Sequence, residues 1–235
     1  MRLAKLLMFQ RKNAYEKNLD NILSVVEVNS RAKFLDLGCD DGIWTLKVAR
    51  KIKTKKIHGL DLIKKQLLIA KRNGINAIYG NLNKPFPYLD NSFDVIHANQ
   101  VIEHVTDTDL FVSEIFRILK VGGYAVISTE NLASWHNIFA LLLGYMPFSL
   151  TNTSSLTGAL GNPLDKHFSE NFDWIASSWQ HQRVFTTIGW RHLFQLNFFK
   201  VEIVKGAGYY PFGNIFSNLD PNHSAFITFK IRKIK

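Results

Sequence analysis

"FLDLGCDDGIW", residues 34–44, decides how this chain is read. An apolar run of strand character breaks at Gly38, passes two consecutive aspartates, reaches Gly42 and then turns helical. A strand, a tight glycine turn and a helix form the general start of a nucleotide-binding unit. Yet Asp40 and Asp41 stand where a phosphate-binding loop wants bare glycine and positive potential. A pyrophosphate on the helix N-terminus would be repelled there. No Gly-Lys-Ser/Thr follows either, so the turn is not a P-loop.

Outward from this stretch the pattern repeats. Before it, Leu19, Ile22, Leu23 and Val26 space a helix over 14–27. After it, Trp44, Val48 and Ala49 mark the inner face of a helix. "KIHGLDL" (56–62) reads as a second strand and is followed by a helix with Ile63, Leu67 and Ala70 on one face. "NAIYGN" (76–81) and "SFDVIHAN" (92–99) read as strands three and four. The next helix aligns Phe111, Ile115 and Ile118 and is stopped by "VGG" (121–123), before a fifth strand at 124–129. Strands alternating with helices imply right-handed crossovers and an α/β, doubly wound, mostly parallel sheet covered on both faces. Residues 130–187 loosen into Trp, Phe, Asn and Ser, with a helical patch at 134–143. A helix near 187–196 and strands at 199–204 and 224–231 finish the chain.

The acidic turn asks for a ligand that brings positive charge. S-adenosylmethionine, with a sulfonium and an α-ammonium group, meets that demand. Gly38 and Gly42 would let the backbone approach its methionine part. At this point the chain resembles the class I, Rossmann-like S-adenosylmethionine-dependent methyltransferases, in their ubiquinone-biosynthesis-like branch. That family's first motif is a strand ending in D-x-G-x-G-x-G; here Asp36, Gly38 and Gly42 are in register, and Asp40 replaces the middle glycine. The resemblance makes Asp61, ending "HGLD", the residue that grips both ribose hydroxyls, and Asn81 in "YGNLN" the one that meets the adenine amino group. It sets Cys39, Asp40, Leu62, Leu82 and Asn99 beside the same cofactor. "FDVIHANQVIEHV" (93–105) and "EIFRILKVGGYAVIS" (114–128) resemble the family's later segments, and the matches run in the expected order over residues 33–130. The resemblance implies a seven-stranded sheet with its last strand antiparallel, in a three-layer αβα sandwich with an insertion after strand five. The expected division is a single domain: an N-terminal helical segment (1–32), a cofactor-binding core (33–130), a substrate-side insertion or lid (131–187) and the C-terminal part of the sheet (188–235).

Other residues stay open. Cys39 is the only cysteine, so no disulfide forms within the chain, and it reads as a small buried filler rather than a nucleophile. With no uninterrupted apolar leader, since Lys5 splits it, and no stretch long enough to span a bilayer, a cytoplasmic protein is expected. Of the 8 histidines, the resemblance would set His104, just after strand four, near the reacting methyl and makes it the candidate catalytic residue, though it equally suits a cap or a packing role. His136, His167 and His181 fall in the insertion. No Cys/His zinc spacing is present, and no metal is expected.

A net charge of +10 raises the question of nucleic acid. The run "RKIKTKK" (50–56) precedes strand two, and the tail "KIRKIK" (230–235) ends an antiparallel strand, so both belong to the sheet edge away from the ligand. Solvated charge is the preferred reading over a nucleic-acid platform. The segment 130–187 and the loop 206–218 face the cofactor and carry Trp135, Trp174, Trp179, Tyr209, Tyr210 and Phe212, as a lid over a small acceptor or as core. The patch "IFALLLGYM" (138–146) could also rest on a membrane or partner surface. The expected function is methyl transfer from S-adenosylmethionine to a small molecule. Rival readings are an RNA or protein methyltransferase, disfavoured because "ANQV" (98–101) replaces the Asn/Asp-Pro-Pro-aromatic motif, and a non-catalytic cofactor-binding partner protein.

Overall fold

Two-residue alternation in the first strand, β1 (Lys33–Leu37), divides the molecule. Phe34 packs into one apolar cluster and Leu35 and Leu37 into another on the opposite face. The same alternation runs through β2 (Lys56–Asp61), β3 (Asn76–Tyr79), β4 (Phe93–Asn99) and β5 (Leu119–Glu130), which are parallel, and β6 (Phe199–Ala207) and β7 (Phe226–Lys233) complete the sheet. The computed structural model describes residues 2–154, 156–165 and 179–235. The strand order is β3-β2-β1-β4-β5-β7-β6, with β7 antiparallel to both neighbours. Chain direction reverses its walk across the sheet between β1 and β4, so the ligand crevice of such a sheet lies at their carboxyl ends.

The helices fill two layers. On one face lie α1 (Arg2–Val25), α2 (Ile43–Ile52) and α3 (Lys64–Arg72), whose Ile22, Val48, Ile52, Leu67 and Ala70 are buried against it. On the other, α4 (Thr108–Ile118) and α6 (Thr187–Leu196) bury Phe111, Ile115, Trp190 and Phe194. Each of these two helices starts on a side-chain cap: Asp107 accepts from the Leu110 amide, and Thr186 from the Gly189 amide. The insertion contributes α5 (Trp135–Leu142) and a short 3-10 turn at Phe148–Leu150. Among the described residues no helix is long and apolar enough to cross a membrane.

The structure departs from the sequence reading in three places. The first helix begins near the N-terminus rather than at residue 14. "VGG" does not stop α4, which ends at Ile118; Val121, Gly122 and Gly123 lie within β5, where the register against β4 shifts between Phe93 and Val95. Of the tail cations only Lys235 is exposed, and Arg232 is half-buried. Lys230 and Lys233 are buried, and the Lys233 ammonium donates to Asn91 Oδ1 and to the carbonyls of Phe116 and Leu119. Lys230 and Arg232 pair with Glu27 and Glu202. By contrast Arg50, Lys51, Lys53, Lys55 and Lys56 are exposed.

Candidate active site

The turn after β1 is built on left-handed backbone. Gly38 has φ +72°, Asp40 +47° and Gly42 +82°. A Cβ on Gly38 would come within 2.6 Å of Val101 Cγ2, so this turn and the loop after β4 touch across the crevice. The amides of Gly38 and Cys39 both donate to the Leu60 carbonyl, binding the turn to the end of β2. There Asp61 accepts from the Asp40 amide through Oδ2 (2.9 Å) and from the Ile63 amide through Oδ1 (2.8 Å). Partial desolvation and the neighbouring Asp41 and Asp61 hold the Asp40 carboxyl above its ordinary range.

Beneath the turn lies a buried polar chain. Asp36 Oδ2 accepts from the Thr45 hydroxyl (2.6 Å), Asp36 Oδ1 meets His97 Nδ1 (2.6 Å), and the Trp44 indole N–H points to His97 Nε2 (3.4 Å). Asp36 is thus engaged inside the protein, on the α2 face, and braces the turn from below. Cys39 and Gly42 also turn inward. The Cys39 side chain packs with Ile75 and Ala77, burial pushes its thiol pKa up, and a Cβ on Gly42 would strike Ile75. At the crevice stand Gly38, Asp40 and Asp61, with Leu62 exposed beside them. Asn81 follows β3 and accepts from the Asn83 amide, while Leu82 packs on the α4-side core. Asn99, ending β4, accepts from Asn18 Nδ2 of α1 (3.2 Å).

His104 follows β4 by a few residues, just past Val101. It belongs to a 3-10 turn, Ile102–His104, and its Nδ1 contacts the Gln180 carbonyl (3.2 Å). Its ring lies edge-on to His181, centroids 4.8 Å apart. Burial lowers its pKa to about 4. Glu103 is fully buried; Oε2 accepts from the Thr129 hydroxyl (2.8 Å), and burial lifts its pKa to about 7. Next to this group opens a cavity of about 80 Å³ at the carboxyl end of β5, lined by Arg11, Glu130, His136, Asn152, His181 and Tyr210 among others. Among the described residues His136 Nδ1 and Asn152 Oδ1 have no hydrogen-bond partner. Of the aromatic lid read from sequence, Tyr210 lines the cavity, while Trp135 stacks on His223 and Tyr209 packs on Phe216. Trp174 and His167 lie outside the described residues. Sequence reading passed over Glu103, Glu130, Asn152 and Arg11; a lone Glu inside the apolar "VIEHV" was the available signal for the first.

Residues 35–127, the span that carries this turn, Asp61, Asn81 and Asn99, match a family model described as a methyltransferase domain. This span is a methyltransferase domain, and its likeness is to the class I S-adenosylmethionine-dependent enzymes. S-adenosylmethionine is its cofactor. The chain is 25% identical over 181 residues to a demethylmenaquinone methyltransferase of Oceanobacillus iheyensis, an alignment covering 74% of this chain and 71% of that protein. It is 30% identical over 114 residues to a ubiquinone biosynthesis O-methyltransferase of Pelagibacter ubique, covering 47% of each. The fold of the methyltransferase domain is also that of an S-adenosylmethionine-dependent methyltransferase structure from Mesorhizobium loti, with a TM-score of 0.61, 18% identity, and coverage of 93% of this chain and 97% of that one.

Proposed function

We propose that this methyltransferase acts on a small-molecule acceptor held in the cavity at the carboxyl end of β5. The observation that carries this reading is the partly open cavity, one strand beyond the crevice, whose wall mixes charged and polar side chains with Phe148, Tyr210 and Phe226, while the exposed basic run 50–56 lies at the opposite edge of the sheet. The quinone methyltransferases to which the chain is similar support an oxygen-bearing ring as the acceptor class.

The donor set at the crevice suits S-adenosylmethionine on its own chemistry. Asp40, Asp41 and Asp61 offer anionic oxygens to a cation, and left-handed backbone at Gly38 gives the methionine part close approach. Asp61 accepts one amide at each oxygen and keeps lone pairs for the ribose hydroxyls. Leu62 and Leu82 would offer apolar flanks, and Asn81 an amide, to the adenine, and Asn99, at the carboxyl end of β4, would complete the cofactor's surroundings. When bound, the cofactor supplies a methyl group on a cationic sulfur to an acceptor nucleophile. The chain's own part is to align the two and exclude water, which suffices for an in-line displacement.

The test is calorimetry with S-adenosylhomocysteine on the wild type and Asp61→Ala, followed by labelled donor with fractionated extract. Binding that weakens at least tenfold in the variant, and label that survives nuclease and protease, are the expected results. Label lost to nuclease or protease would overturn the small-molecule acceptor.

A further inference from the structure

Glu103, His104 and His181 each offer a ligand atom, and these atoms lie within 4.8 Å of one another. We infer that these three side chains form a binding site for a divalent transition-metal ion. Glu103 is completely buried, and among the described residues its Oε1 has no hydrogen-bond partner. A buried carboxylate oxygen left unpaired is costly, so something must meet it.

The surroundings hold each ligand as a metal site requires. Thr129 of β5 donates to Glu103 Oε2 and fixes the carboxylate, leaving Oε1 as the free donor. His104 Nδ1 contacts the Gln180 carbonyl and His181 Nδ1 the Ser149 carbonyl (2.7 Å). A carbonyl only accepts, so each Nδ1 carries the proton and each Nε2 keeps its lone pair. An imidazole whose second nitrogen donates to a backbone carbonyl is the usual outer support of a metal-bound histidine. The amides of Gln182 and Arg183 donate to the Glu103 carbonyl, which ties the segment bearing His181 to the 3-10 turn.

Two imidazoles and one carboxylate suit borderline ions such as Zn2+, Co2+, Mn2+ or Fe2+ better than Mg2+ or Ca2+, which favour oxygen shells. Three protein ligands leave coordination open for water or an acceptor oxygen. His181 also lines the cavity, so the ion would stand at the wall of the proposed acceptor pocket. This last step rests on the acceptor reading; the metal site itself does not.

Titration of the metal-free full chain with Co2+, followed by visible absorption and calorimetry, decides the matter. One equivalent bound, with d–d bands that disappear in Glu103→Gln and in His181→Gln and persist in His192→Gln, is the expected result. Thermal unfolding and S-adenosylhomocysteine binding, measured on the same variants, separate loss of the ion from loss of the fold or of the cofactor site. If Glu103→Gln fails to fold, His181→Gln carries the comparison. Absence of stoichiometric binding in the wild type, or equal loss in His192→Gln, would overturn the site while leaving cofactor binding intact.

Discussion

Asp36 and His97 are paired in register on adjacent parallel strands, and their side chains meet at 2.6 Å below the glycine turn. The pair couples the two strands that flank the crevice, and Thr45 and Trp44 attach the first turn of α2 to it. An amide at position 36 has one acceptor oxygen for two donors, so Asp36→Asn is expected to cost about 2–3 kcal/mol. Urea unfolding should register this as a lower midpoint at unchanged slope. Asp41→Asn, which keeps the oxygen that accepts from the Ile43 amide, should unfold within about 0.5 kcal/mol of the wild type.

Gly38→Ala adds a methyl group to a residue at φ +72° and presses it against Val101. The backbone penalty alone is roughly 1–2 kcal/mol. Because relief requires the loops after β1 and β4 to part, affinity for S-adenosylhomocysteine should fall at least tenfold. Removing the clash in Gly38→Ala/Val101→Ala should restore part of that affinity, and a double-mutant cycle measures how much.

The cofactor half of the molecule was legible because its signals are local. Strand, turn and helix follow one another within "FLDLGCDDGIW", and Asp61 ends the next strand. A seven-stranded order with an antiparallel last strand then followed from the family resemblance. What the sequence hid depends on contacts between distant segments. Glu103 meets Thr129 across two strands, and His181 reaches His104 from the far end of the insertion. "VGG" carries helix-stop chemistry, yet Gly123 packs against the Asp94 carbonyl inside β5. Lys230 and Lys233 look solvated in "KIRKIK", because nothing nearby in sequence reveals Glu27, Glu202 or the α4 carbonyls as partners.

His136 lines the cavity, and burial with the nearby Arg11 charge lowers its pKa to about 3. Its unfolded value lies near 6.5. Between these values the unfolded chain binds the proton and the folded chain does not, so stability is whole above pH 6.5 and declines as pH falls toward 3. The loss is at most about 1.4 kcal/mol per pH unit, and the ring's contact with the cavity trims it. Thermal unfolding of the wild type and His136→Gln from pH 7.5 to 4.5 should give a difference curve that narrows on acidification. A constant difference would rule His136 out as its source.

Lys233 ends β7 with its ammonium against two carbonyls at the C-terminus of α4. A cation there opposes the negative end of the helix dipole and satisfies carbonyls that no helical amide reaches. Lys233→Met keeps most of the buried aliphatic stem and removes all three hydrogen bonds, including the one to Asn91. The expected loss is about 2–3 kcal/mol, read as a lower urea midpoint. Lys51→Met removes an equal charge from the exposed end of α2 and should stay within about 0.5 kcal/mol. The contrast separates a structural cation from net charge, since both variants change the latter identically. Equal effects would mean that Lys233, despite its burial, acts only through the overall field of the protein.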